Sequence, residues 1–207
     1  MATAVKICGI TRVEDALAAA RAGAHAIGLV FYPGSPRYIT PVKAAEIIQA
    51  LPPFITTVGL FVNAPADEVR SVVRQAPVEL LQFQGDETSD FCRQFGRPYI
   101  KAVRVQPGVD LLQYARDYHD AKALLLDAYV EGLHGGSGVA FDWGLVPRGL
   151  PLPVIVSGGL TAENVMDAVR RVRPSAVDVS SGVESAKGVK DAARISAFIK
   201  GVRNADL

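Results

Sequence analysis

The stretch VKICGITRVEDALAAARAGAHAIGLVF, residues 5–31, carries the reading that decides the fold. It opens on a short apolar run, Val5-Lys6-Ile7-Cys8. An Ala-rich stretch, Glu14 to Ala22, follows, and then a second apolar run, Ala26 to Phe31. The two runs are apolar on both faces, as strands of a parallel sheet covered by helices must be. The stretch between them has helical spacing and begins Thr11-x-x-Glu14, a capping-box pattern.

The unit repeats along the chain. Thr56 to Phe61, Leu80 to Phe83, Tyr99 to Val105, Ala123 to Leu126, Pro153 to Val156 and Ala176 to Val179 complete a set of eight predicted strands, with starts roughly 20 to 30 residues apart. Helical spacing recurs over Pro41 to Leu51, Pro65 to Gln75, Asp110 to Tyr118, Thr161 to Val172 and Val189 to Val202, and over the shorter Thr88 to Phe95 and Phe141 to Val146. Thr40-Pro41 reads as an N-cap followed by proline at the first helical position. Eight strands alternating with eight helical segments predict an α/β protein, a closed (β/α)8 TIM barrel. A chain of 207 residues lies near the lower limit for that fold, so a single domain over 1–207 with short loops is expected. An open doubly wound sheet is the competing architecture, but no G-x-G-x-x-G follows the first strand.

Composition narrows the function classes. Hydrophobic residues are 49% and charged residues 21%, which is ordinary globular composition. With 22 Lys+Arg against 21 Asp+Glu the formal charge is +1, so the chain has no overall electrostatic footprint for nucleic acid or an anionic membrane. Two cysteines, Cys8 and Cys92, make no disulfide framework and show no metal-ligand spacing. No apolar run approaches the ~20 residues needed to span a bilayer, and no signal peptide is visible. A cytoplasmic protein is expected, with a small-molecule substrate and no nucleic-acid or membrane partner.

In such a barrel, chemistry sits at the C-terminal ends of the strands. The residues there are Cys8, the loop Tyr32 to Arg37, Asn63, Gln82 with Gln84, Arg104, Asp127, Ser157-Gly158-Gly159, and Asp178 with Ser180-Ser181-Gly182. Glycine turns after strands seven and eight match a phosphate site made of backbone N–H groups and a helix N-terminus. The same glycines also suit plain tight turns. Gly135-Gly136-Ser137-Gly138 reads equally as a loop that folds over a ligand and as a flexible connection. On position alone Cys8 also fits as a small core residue, and Cys92 reads as structural. A carboxylate after Leu124-Leu125-Leu126, and another between Val177 and Val179, is costly unless paired or functional. Lys6 and Lys101 are the candidate partners for Asp178. His25, His119 and His134 read as surface or structural.

Taken in order, these residues resemble one family. Lys6-Ile7-Cys8-Gly9-Ile10-Thr11, Ser35-Pro36-Arg37, Leu81-Gln82-Phe83-Gln84-Gly85-Asp86-Glu87, Leu126-Asp127, Ser157-Gly158-Gly159-Leu160 and Val177-Asp178-Val179-Ser180-Ser181-Gly182-Val183-Glu184 closely resemble the phosphoribosylanthranilate isomerases of tryptophan biosynthesis. The resemblance implies an Amadori rearrangement of N-(5-phosphoribosyl)anthranilate to 1-(2-carboxyphenylamino)-1-deoxyribulose 5-phosphate. It implies no cofactor and no metal. It makes Cys8 the general base and Asp127 the general acid, with Arg37 against the anthranilate moiety. Gln82 and Asp178 are further candidate substrate contacts, and Gly136, Gly158, Gly159, Ser181 and Gly182 hold the phosphate. The chain departs from the family's usual Q-L-H-G after strand four, where Gln84 stands in place of histidine. A monomer or a homodimer is expected.

The chemistry suits that division of roles. Opening the furanose needs a proton on the ring oxygen, and a protonated Asp127 delivers it if burial or Asp178 raises its pKa from about 3.9. The second step needs a base at C2′. A thiolate serves, with Lys6, a cationic iminium or a helix end raising its fraction.

Overall fold

A computed structural model describes residues 2–128 and 141–207. Eight parallel strands close into a barrel in sequential order. They are β1 (Ala4–Cys8), β2 (Ala26–Val30), β3 (Thr56–Phe61), β4 (Leu80–Phe83), β5 (Tyr99–Val105), β6 (Ala123–Ala128), β7 (Val154–Val156) and β8 (Ala176–Val179), and β8 pairs back onto β1. The described helices are α1 (Val13–Ala22), α2 (Pro41–Ala50), α3 (Ala66–Gln75), α4 (Ser89–Arg93), α5 (Leu111–Asp117), α6 (Val165–Val172) and α7 (Ala192–Ala205). The expected (β/α)8 architecture is therefore present.

Strand alternation sorts the side chains. Outward residues such as Ile7, Ile27, Phe83, Val177 and Val179 form the main core with the helices. Inward residues change character along the barrel axis. Ile100, Ala102, Ala123, Leu125 and Ile155 pack the lower interior. Lys6, Gln82, Asp127 and Asp178 are buried above them. Each fully buried Leu or Ile contributes roughly 1.5–3 kcal/mol. The apolar base therefore carries the stability that lets the top be polar.

Helix ends follow local chemistry, with three corrections. Thr40 accepts from the Lys43 amide, with Pro41 in the first turn, as read from sequence. The Thr11–Glu14 capping box does not form. Instead the N-cap of α1 is Arg12 without a side-chain cap, and the Thr11 hydroxyl donates to the Gly188 carbonyl. The helix expected from Thr161 begins at Val165, because Asn164 first closes a turn. Its Oδ1 accepts from the Thr161 amide and its Nδ2 donates to the Gly159 carbonyl. The segment Phe141 to Val146 forms only a 3-10 turn, Trp143–Leu145: Asp142 caps its start by accepting from the Gly144 amide, and Val146, held extended before Pro147, ends it. Beyond β8, an antiparallel ribbon not foreseen from sequence pairs β9 (Glu184–Ala186) with β10 (Val189–Lys190).

Candidate functional site

Every strand whose end was expected to carry chemistry delivers it to the same rim, but not all of it reaches the cavity. One cavity at the barrel mouth holds about 510 Å³ of space and is lined by Cys8, Arg37, Gln82, Gln84, Asp127 and Asp178, among others. A smaller recess beside it, about 280 Å³, is lined by Gly158, Gly159 and Ser181, and shares Asp127, Ser157, Asp178 and Ser180 with the first. Asn63 and Arg104 lie outside both. Asn63 accepts from the Asp86 amide, and Arg104 pairs with Asp86 at 2.8 Å, so they tie loops together.

Cys8 is the last residue of β1 and points inward, 5% exposed. Its flank is open because its partner in register on β2 is Gly28. A Cβ at Gly28 would lie 2.7 Å from the Cys8 sulfur. Gly9, next in the chain, has φ +73° and lets the Arg37 stem cross directly over it. Burial pushes the Cys8 thiol up, Lys6 pulls it down, and Asp178 pushes it up again. The net direction is upward. Lys6 thus favours the thiolate, as expected, although desolvation outweighs its pull.

Lys6, two residues before Cys8 on the same face, pairs with Asp178 at 2.9 Å. Burial works to lower the amine, but Asp178 and Cys8 outweigh it and hold it raised. Lys6 is therefore the partner of Asp178, and Lys101 is not. Lys101 faces out of the barrel and pairs with Glu87 at 3.0 Å. Ser157 also donates to Asp178, at 3.4 Å.

Asp127 lies inside β6 rather than after it, because the strand continues to Ala128. Its Oδ1 accepts from the Ala128 amide and its Oδ2 from Gln84, both at 2.9 Å. Burial first, then the Asp178 charge, push its carboxyl up to about 6 against those two bonds and Lys6. This carboxyl is poised to exchange a proton near neutrality.

Arg37 is buried and forked onto Glu184, Nε to Oε1 at 2.7 Å and Nη2 to Oε2 at 2.8 Å. Lys190 braces the same carboxylate at 2.8 Å. Sequence reading missed this clamp. Glu184 lies 147 positions from Arg37, and no local pattern marks it.

At the glycine turns, Gly158 and Gly159 have φ of +78° and +61°, the left-handed region that favours glycine. An added Cβ at Gly158 would meet the Ala128 amide nitrogen at 2.6 Å. Gly182 is not part of the recess wall. It lies against the Leu160 carbonyl and lets the two turns touch. Gly136, with the rest of Gly135 to Gly138 and His134, falls outside the described residues. Cys92 is buried in α4 and pushed up to about 12 by burial, in keeping with a structural role. His25 accepts from the Val5 amide, and His119 lies against the Arg116 carbonyl. No group of three or more His, Cys, Asp or Glu among the described residues is placed to hold a metal ion.

A closed barrel with a perturbed carboxyl and a thiol on one cavity makes this a (β/α)8-barrel protein with an acid–base site at its mouth. Residues 5–201 match the family described as N-(5'phosphoribosyl)anthranilate (PRA) isomerase. The chain is 57% identical to the N-(5'-phosphoribosyl)anthranilate isomerase of Dechloromonas aromatica over 206 residues, 100% of this chain and 99% of that one. It is 61% identical to that of Azotobacter vinelandii over 200 residues, 97% of each chain. Among solved structures it is similar to a phosphoribosyl anthranilate isomerase in complex with reduced 1-(o-carboxyphenylamino)-1-deoxyribulose 5-phosphate. The TM-score is 0.87 at 41% identity, covering 98% of this chain and 99% of that one. The chain belongs to the N-(5'-phosphoribosyl)anthranilate isomerase family.

Proposed function

We propose that the barrel mouth isomerises N-(5'-phosphoribosyl)anthranilate to 1-(2-carboxyphenylamino)-1-deoxyribulose 5-phosphate by paired acid and base catalysis from Asp127 and Cys8. The observation that carries this reading is the carboxyl of β6, raised to about 6, lining the same cavity as the thiol of β1. At pH 7 a carboxyl of that pKa is protonated about a tenth of the time, against less than a thousandth for an ordinary aspartate. Asp127 gives its proton to the furanose ring oxygen. The ring C–O bond breaks and the nitrogen lone pair forms the C=N bond of an iminium. The positive charge of that iminium adds to the pull of Lys6, and it favours the thiolate of Cys8 at the moment of need. Cys8 then takes the C2′ proton. The C2′–H electrons form the C1′=C2′ bond, the C=N pair returns to nitrogen, and the enolamine tautomerises to the ketone.

Arg37, held rigid by Glu184, faces the anthranilate carboxylate, and Gln82 and Asp178 line the sugar. The amides of Gly158, Gly159 and Ser181 take the phosphate. Gly182 supports the shape of that recess, and Gly136 joins it from the loop after β6. No cofactor or metal enters this scheme. The whole chain acts as one domain, as a monomer or a homodimer, in the cytoplasm. No helix among the described residues is long and apolar enough to cross a membrane.

The test is turnover of purified variants with the substrate generated in situ. Cys8→Ser and Asp127→Asn each lower kcat by at least about 10²-fold, the lower end for acid–base catalysis, with unfolding curves still cooperative. Parental turnover in either variant removes that residue from its role. Rescue of a tryptophan auxotroph lacking this step by the parent, but not by Cys8→Ala, checks the activity in cells.

A further inference from the structure

Three polar side chains inside the barrel are linked by hydrogen bonds. Gln82 Nε2 donates to Gln84 Oε1 at 2.8 Å, and Gln84 Nε2 donates to Asp127 Oδ2 at 2.9 Å. Gln82 is 1% exposed and Gln84 4%. The remaining oxygen, Gln82 Oε1, is buried with no hydrogen-bond partner. A buried acceptor left unpaired is costly and rare, so it asks for a physical reason.

The reason lies in what Gln82 must hold. An ionised carboxylate only accepts, and a protonated one keeps acceptor capacity beside its single O–H, so the Gln84 Nε2 bond to Oδ2 suits both forms and leaves the acid proton to point into the cavity. Gln82 fixes Gln84 in that orientation by donating to its Oε1, and the brace leaves Gln82 Oε1 without a partner. The other donor to Asp127, the Ala128 amide, is fixed in the backbone.

We propose that Gln84, braced by Gln82, is a positioning residue for Asp127: its amide stays on Oδ2 in both protonation states, bonds the carboxylate more strongly than the acid, and keeps the carboxyl aimed into the cavity through its proton transfer. The proposal rests on the reading of Asp127 as the acid. The proton passes only between Asp127 and the sugar ring oxygen, and the glutamines carry none of it. Among the described residues, the titratable and charged groups around Asp127 are Asp178 on β8, Lys6 and Cys8 on β1, and Tyr32 and Arg37 in the loop after β2. They stay unchanged in every variant below.

The experiment follows the Asp127 side-chain carboxyl by 13C NMR against pH in the full chain, beside pH profiles of kcat/KM. In Gln84→Met the carboxylate loses a charge-assisted donor, and its midpoint rises by about one pH unit. The limb of kcat/KM near pH 6 moves up by the same amount. At the optimum kcat falls about tenfold, with KM within about twofold. Gln82→Met moves the midpoint the same way by about half as much. The double variant matches Gln84→Met alone, because Gln82 acts through Gln84. An unmoved midpoint in folded Gln84→Met overturns the proposal, as does a Gln82→Met shift that persists in the double variant. If Gln84→Met does not fold, Gln82→Met decides, and an unmoved midpoint there is equally fatal. The carboxyl titration is read without turnover. Asp127→Asn at parental rate would instead sink the acid assignment and leave the titration standing, so the two failures are told apart.

Discussion

Two buried lysine–carboxylate pairs sit on the same barrel, and they do different work. Lys101 and Glu87 meet at 3.0 Å on the outer face of the wall, with side chains 2% and 3% exposed. Lys6 and Asp178 meet at 2.9 Å on the inner face, 5% and 6% exposed. The outer pair is saturated. Lys101 also donates to the Phe83 and Gly85 carbonyls, and Glu87 accepts from the Asn63 amide. It ties the ends of β3, β4 and β5 together. The inner pair borders the cavity, and its charges act on Cys8 and Asp127. Burial and pairing alone therefore do not mark a functional charge. What marks it is open space with a second titratable group across it.

That contrast breaks in a definite way. Lys101→Met and Lys6→Met each leave a carboxylate buried and unpaired, so each destabilises the fold by about 3–5 kcal/mol in denaturant unfolding. The pairs separate in turnover per folded molecule. Lys101→Met stays within about threefold of the parent, whereas Lys6→Met loses about 10²-fold in kcat/KM, because an unbalanced Asp178 pushes Cys8 and Asp127 further up. Equal losses in both variants would erase the distinction.

A smaller effect sharpens the picture through pH. Asp127 has a folded pKa raised from 3.8 to about 6, so the folded state prefers its protonated form. The stability this confers is fully present below about pH 4 and is lost as pH rises through 6. Asp127→Asn removes that dependence. Its stability relative to the parent improves between pH 4 and pH 7 by on the order of 2 kcal/mol in urea unfolding. A flat difference across that window would show that Asp127 is not held up by burial.

The strands were legible in the sequence because each is apolar on both faces, a local property of a few consecutive residues. β3, β4, β5 and β8 match their expected bounds, and β6 runs two residues further to include Asp127. The helix expected before β7 was not legible as a 3-10 turn, since its start is capped like any helix by Asp142 and it stops after one turn where Val146 precedes Pro147. In the site, Cys8, Asp127, Arg37 and Asp178 were legible as polar or reactive residues ending strands. Their partners were less so. Gln84 was legible as a strand-end residue and as a departure from the family pattern, but its bond to Asp127 spans 43 positions. Glu184 reaches Arg37 through a ribbon too short for any periodicity to reveal.

The bare position beside the sulfur has a wider consequence. Gly28 carries no reactive atom, yet a single methyl there would evict the thiol from its berth. Vulnerability at this mouth is thus distributed over neighbours that do no chemistry, and the tolerance of β2 to change is dictated by what β1 must accommodate.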